Sequence, residues 1–203
     1  VVRRVAHESI AALESGEHQY FRRGLRQSEA WRAYDAFRDS CAYLDIETDG
    51  GSGPQALTMI GLWSAAGYQA FVKGENLESF RDAISRYSMI VTFHGLMSDV
   101  PILERRFKGL GLDQIHVDLC PLMRRLGYRG GLKRIEAQCG IERAEGVAGL
   151  TGLDAVHLWR RHLRGDAASL ERLLAYNRAD VENLVPLAER AYREMCEQTL
   201  ATD

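Results

Sequence analysis

CAYLDIE, residues 41–47, decides the fold of this chain. The run is short and largely apolar or aromatic, and TDGGSGP (48–54) stops it with glycines and a proline that force a turn, so it reads as a strand. Asp45 and Glu47 stand two apart and share one face, while Leu44 and Ile46 point to the other. Downstream, ALTMIGLWSA (56–65) and YQAFVKG (68–74) meet around Ala66-Gly67 as a hairpin, which predicts three antiparallel strands. NLESFRDAISRY (76–87) opens on Asn76 as an expected N-cap and places Leu77, Phe80, Ile84 and Tyr87 at helical spacing. SMIVTFHG (88–95) reads as a buried strand, DVPILERRFKGLG (99–111) as a helix with Pro101 in its first turn, and IHVDLC (115–120) as another strand. From Pro121 onward the pattern is helical. The order βββαβαβ followed by helices predicts an α/β fold with a mixed five-stranded sheet, three strands antiparallel and two parallel, flanked by helices.

Upstream of the first strand, residues 1–38 read as polar helix interrupted at Gly16 and Gly24, with Ala30, Trp31, Tyr34 and Phe37 at a 3-and-4 apolar spacing. They are expected to form a helical arm on a main domain spanning 39–203. A length of 203 residues and 22.8 kDa suits that organisation. With 46% hydrophobic residues, 27% charged residues and a mean hydropathy of −0.26, a sizeable core can be buried and global disorder is excluded. Apolar stretches end after a few residues, far short of the roughly 20 a bilayer needs, so no membrane span is expected. The first residues carry acidic groups and no apolar signal region, which makes the cytoplasm the expected location. Cys41, Cys120, Cys139 and Cys196 are scattered without zinc spacing and read as reduced thiols. With 26 basic against 28 acidic residues, only a local patch can announce a nucleic-acid binder.

The carboxylates carry the chemistry. Between layers of helices, Asp45 and Glu47 would be expensive to desolvate unless they held cations; the plainer reading is a strand end whose polar side meets water. Asp99 falls at a helix start beyond the C-terminal end of a central strand, where ligand sites gather in α/β sheets and where an aspartate also simply caps. In YNRADVENL (176–184), Tyr176 and Asp180 stand four apart on one helical face, a pair that often only packs. Taken together, Asp45, Glu47, Asp99 and Asp180 supply four hard oxygen ligands suited to two Mg²⁺ or Mn²⁺ ions.

LDIET, FHGLMSDVPIL and YNRADVENL resemble the three motifs of the DEDD exonucleases with the ribonuclease H-like fold. Tyr176, four before Asp180, marks the tyrosine subclass; the histidine subclass would carry His where this chain has Ala175. HVDLCPLMRRLGYRGGLKRIEAQCGI (116–141) also resembles the YprB-type ribonuclease H-like domain, with Asp118 and the GLKRIE helix at recognisable positions. The likeness covers roughly residues 41–195. One departure concerns substrate contacts: where the family usually has Asn-Gly and then Phe-Asp, this chain has His94-Gly95 and then Ser98-Asp99.

The resemblance implies 3′–5′ exonucleolytic hydrolysis of DNA or RNA by a two-metal mechanism. In that scheme Asp45 is shared between the ions, Glu47 and Asp180 complete one sphere, and Asp99 acts on the other ion through water. Tyr176 orients the attacking water. Asp118 is either a group behind the ligands or a strand-end cap, and His94 stays outside the ligand set. Cations that follow a strand are sought in RRLGYRGGLKR (124–134), namely Arg124, Arg125, Arg129, Lys133 and Arg134, with Tyr128 to stack on a base, although each also reads as an exposed basic residue. A single strand or a 3′ end is the expected partner. The rival readings are a non-catalytic nucleic-acid-binding or assembly domain of the same fold and a ribonuclease H-like endonuclease.

Overall fold

The structure, a computed structural model, describes residues 2–201. Five strands form one sheet in the order β3-β2-β1-β4-β5, with β1 Cys41–Thr48, β2 Leu57–Ser64, β3 Gly67–Val72, β4 Met89–Thr92 and β5 Ile115–Asp118. β1–β2 and β2–β3 pair antiparallel, and β1–β4 and β4–β5 pair parallel, as the sequence pattern predicts. The hairpin closes with Ser64 paired to Gly67. Gly67 has φ 93°, a left-handed conformation that costs a glycine nothing sterically.

Alternation along the strands divides the interior. Leu44, Ile60, Leu62, Phe71 and Ile90 pack on one face against Phe80 and Ile84 of α4 (Phe80–Ile84) and Leu103 of α5 (Asp99–Arg106). On the other face, Tyr43, Met89, Val91, Ile115 and Val117 pack under Leu122 of α6 (Leu119–Arg125), Ile135 of α7 (Leu132–Gln138) and Leu187 of α10 (Leu184–Leu200). The same face, at β2 and β3, carries Met59 and Val72 against Trp159 of α8 (Gly152–His162) and Leu173 of α9 (Ala167–Glu182). Because β1, β4 and β5 run parallel, their C-terminal ends share one edge of the sheet, the place where open α/β sheets bind ligands.

One local reading changes. Asn76 does not cap a helix: its Oδ1 accepts from the Val72 amide at 2.7 Å and its Nδ2 donates to the Ala70 carbonyl at 2.9 Å. An asparagine side chain competes well for nearby backbone, and here it ties off β3 while the helix starts through a 3₁₀ turn at Leu77–Ser79. Preceding β1, α1 (Val2–Glu14) and α2 (His18–Gly24) are followed by a 3₁₀ turn, Gln27–Ala33, and α3 (Tyr34–Phe37). Trp31, Tyr34 and Phe37 are buried in the same core as β4, β5 and α10, and the Tyr34 and Tyr43 hydroxyls bond at 2.8 Å. Among the described residues no helix is long and apolar enough to cross a membrane. All four cysteines are free.

If residues 27–37 belong to the cooperative core, Trp31→Ala should cost about 3–5 kcal/mol in urea unfolding. Arg4→Ala, which removes an exposed ion pair with Glu8, should change stability by less than about 0.5 kcal/mol. Equal, small effects would detach this segment from the core.

Candidate metal and nucleic-acid site

β1 carries Asp45 and Glu47 on the face covered by α9, and α9 answers with Tyr176 and, one turn later, Asp180. One ligand oxygen each from Asp45, Glu47 and Asp180 lies within 4.8 Å of the others. This approach depends on a glycine. Gly61 on β2 is the register partner of Asp45, and a Cβ there would overlap the Asn177 side chain. Fully buried Asn177 donates from Nδ2 to Asp45 Oδ2 at 3.1 Å and accepts from the Tyr68 hydroxyl at 3.0 Å, which fixes the Asp45 carboxylate.

Asp99 is buried as the first residue of α5, outside that trio but near enough for its charge to raise the pKa values of Asp45 and Glu47. Ser98 Oγ donates to its Oδ1 at 2.6 Å. The turn leading to it is held by Asp118, which accepts from the amides of His94 at 2.7 Å, Leu96 at 3.2 Å and Cys120 at 3.0 Å. Asp118 thus caps α6 at the end of β5 and clamps the 94–96 backbone. His94 has φ 67°, an uncommon region for a side-chain-bearing residue, and Asp118 holds it there; its own side chain is exposed.

The Tyr176 hydroxyl accepts from Lys133 Nζ at 3.0 Å, and the ammonium also sits 4.4 Å from the ring centroid while bonding the Leu150 carbonyl. A cleft of about 450 Å³ opens here, lined by Asp45, Phe93, Lys133, Arg134, Tyr176 and Asp180 among others. Of the six residues expected to follow a strand, Lys133 and Arg134 therefore face the cleft. Arg125 instead bonds Glu29 at 3.0 Å, Arg129 bonds the Arg124 carbonyl at 2.7 Å, and the Tyr128 hydroxyl donates to Glu194 at 2.9 Å. Arg124 is exposed on α6 and is not among the cleft residues.

Asn177, Gly61, Arg143 and Glu136 escaped the sequence reading. A glycine inside a buried strand signals close backbone approach and pointed toward the first two. Arg143 lies in the loop between α7 and α8, and nothing in its neighbourhood marks it. Its Nη2 reaches Asp180 Oδ1 at 2.5 Å, while Nε and Nη2 hold both Glu136 oxygens at 2.6 Å.

Burial and mutual repulsion shape the electrostatics. Burial, then the charge of Asp180, pushes Glu47 up to about 8; burial and Asp118 push Asp99 up to about 6 against the Ser98 hydrogen bond. Asp45 rises well above its usual range for the same reasons, and Asp180 rises less freely because Arg143 opposes the shift. Tyr176 is driven upward by burial and by Asp180, so its phenol stays protonated. Glu47 Oε1, Asp99 Oδ2 and Asp180 Oδ1 are buried without a hydrogen-bond partner among the described residues, the last of them meeting Arg143 as an ion pair. Unpartnered carboxylate oxygens beside a carboxylate trio fit hard divalent cations.

A carboxyl whose pKa is raised on folding keeps extra protons in the folded state. Its effect is absent below the unfolded value, destabilises progressively as pH rises from there to the folded value, and levels off above it. With chelator present, melting temperature should fall by several degrees as pH rises from 4.5 towards about 8, the window of Glu47, with Asp99 contributing below about 6. Mn²⁺, which binds the ionised forms, should reverse the loss. Thermal melts of wild type and Glu47→Gln check this: the variant should show a shallower fall, and identical profiles would contradict the assigned repulsion.

Comparison with known proteins agrees with this architecture. The family model described as the RNase_H superfamily matches residues 42–192. Among solved structures, the family B DNA polymerase from the hyperthermophilic archaeon Pyrobaculum calidifontis superposes with a TM-score of 0.61 at 20% identity, covering 74% of this chain. At that identity the likeness speaks for the fold, and the chain spans 24% of the polymerase's length. No curated protein matches the chain. Members of the matched superfamily are generally nucleic-acid hydrolases that use divalent metal ions. The family match covers well over half of the sequence, from the first residues of β1 into α10: the chain belongs to the ribonuclease H superfamily.

Proposed function

We propose that this chain is a metal-dependent 3′–5′ exonuclease that hydrolyses phosphodiester bonds of a nucleic-acid strand, with Asp45, Glu47, Asp99 and Asp180 as ligands for two Mg²⁺ or Mn²⁺ ions. The observation that carries the reading is the convergence of Asp45, Glu47 and Asp180 within 4.8 Å beside Tyr176, with Asp99 buried close by. When bound, such ions activate a water nucleophile and stabilise the leaving oxygen in an in-line displacement. The 3′–5′ polarity and the exonucleolytic mode rest on the resemblance of the three motifs to the tyrosine-type DEDD enzymes.

The protein's own residues supply orientation. Tyr176 remains a neutral phenol; since its oxygen already accepts from Lys133, its O–H is the group free to hold the attacking water in line. Asn177 keeps the Asp45 carboxylate in one rotamer, and the Asp118 clamp fixes the turn that delivers Asp99. Lys133 and Arg134 line the cleft, where their charge meets a phosphodiester that four carboxylates would otherwise repel. Phe93 also lines the cleft, and an aromatic ring there suits a base or sugar.

Metal-dependent release of nucleotides from end-labelled single-stranded DNA and RNA tests this reading. Asp180→Asn deletes one ligand charge with little change of shape and should bring release to background. Tyr176→Phe removes one positioned hydrogen bond, which at comparable sites costs about a hundredfold or more in rate. Wild-type rates in both variants, or cleavage of closed circles at the same rate as linear strands, would overturn the exonuclease assignment.

A further inference from the structure

Two successive turns of α9 present Tyr176 and Asp180, and each meets a cation fixed by α7: Lys133 against Tyr176, and Arg143, held by Glu136, against Asp180. The second contact is closed to solvent. Side-chain exposure is 6% for Arg143, 2% for Glu136 and 7% for Asp180. Glu136 grips the guanidinium through two parallel bonds of 2.6 Å, and Asn183 Nδ2 donates to Glu136 Oε1 at 3.1 Å. A buried arginine held in a fork by a carboxylate has little rotamer freedom, so Arg143 is a fixed charge rather than a swinging arm.

From this geometry we infer that the Glu136–Arg143 pair sets the divalent-ion affinity of the site. It does so by pairing with Asp180 at Oδ1 and by cancelling part of the charge that a cation would otherwise meet. The inference rests on the metal-site reading above and goes beyond it by assigning two positioning residues outside the ligand set. Arg143 stands nearer to Asp180 than Glu136 does, so the pair as a whole presents positive charge to the ligand oxygen and weakens its hold on an ion. Glu136 tempers that field. Without Glu136 the full guanidinium charge would fall on Asp180; without either residue no fixed positive charge would oppose an ion at Asp180, and its carboxylate would regain rotational freedom. An ion held weakly at rest is one that a substrate phosphate, bringing ligand oxygens of its own, can help to retain.

The signs are opposite, which a merely structural role does not produce. Glu136→Gln keeps the shape and removes the tempering charge, so Mn²⁺ should bind about tenfold more weakly in the absence of nucleic acid. The double variant Glu136→Gln/Arg143→Gln removes both charges, a replacement buried ion pairs often tolerate, and should bind Mn²⁺ about tenfold more tightly than wild type. In the same double variant nucleotide release at saturating Mn²⁺ should fall, because Asp180 is no longer held in one orientation. Mn²⁺ titration followed by electron paramagnetic resonance, with thermal melts to establish folding, reads the shifts without reference to activity. Should Glu136→Gln fail to fold, tightening in the double variant decides the matter alone. Shifts in the same direction, unchanged affinities, or no detectable Mn²⁺ in wild type and double variant alike would overturn the inference. Absence of nuclease activity alongside opposite Mn²⁺ shifts would instead count against the exonuclease reading and leave this one standing.

Discussion

Three carboxylates, from Asp45, Glu47 and Asp180, are held within 4.8 Å of one another in a largely buried place, and the rest of the structure is arranged around that repulsion. Ionised groups at such spacing cannot all be desolvated without a compensating cation or proton, which is why the pKa values of all three are raised. The chain answers part of the charge with its own cations, Arg143 on Asp180 and Lys133 beside Tyr176, and leaves Glu47 Oε1 and Asp99 Oδ2 without hydrogen-bond partners among the described residues. That residue of unmet charge is what a divalent ion would complete.

Holding the trio together takes contributions from every layer. β1 supplies two carboxylates by its period of two, and the parallel strands β4 and β5 deliver Asp99 and Asp118 to the same edge. α9 reaches that edge only because Gly61 leaves room for Asn177, so a single missing Cβ couples sheet packing to the orientation of Asp45. The strained His94 backbone is affordable for a similar reason: Asp118 satisfies the amides on either side of Gly95, and the turn then feeds directly into α5 and Asp99.

The succession of strands along the chain, the hairpin and the shared face of Asp45 and Glu47 were legible in the sequence because they follow from local patterns: alternation in CAYLDIE and glycine at the turn. Asn76 misled because its side chain serves backbone behind it rather than ahead. The buried placement of Trp31, Tyr34 and Phe37 follows from long-range packing on β4, β5 and α10, which their spacing marked as a helical face without saying what it faces. Arg143 and Glu136 were invisible for the same reason, since a loop arginine and a helix glutamate acquire meaning only when tertiary structure closes them on Asp180. The basic run 124–134 divided in space: Lys133 and Arg134 face the cleft, while Arg125, Tyr128 and Arg129 are engaged elsewhere.

Anomalous diffraction from crystals soaked with Mn²⁺ and a nucleoside 5′-monophosphate tests the two-ion reading most directly. Two manganese peaks are expected, both in contact with Asp45, one of them also with Glu47 and Asp180, and the nucleotide phosphate beside Tyr176. Manganese bound away from these carboxylates, or a nucleotide phosphate seated outside the cleft with the carboxylates still unoccupied, would contradict it.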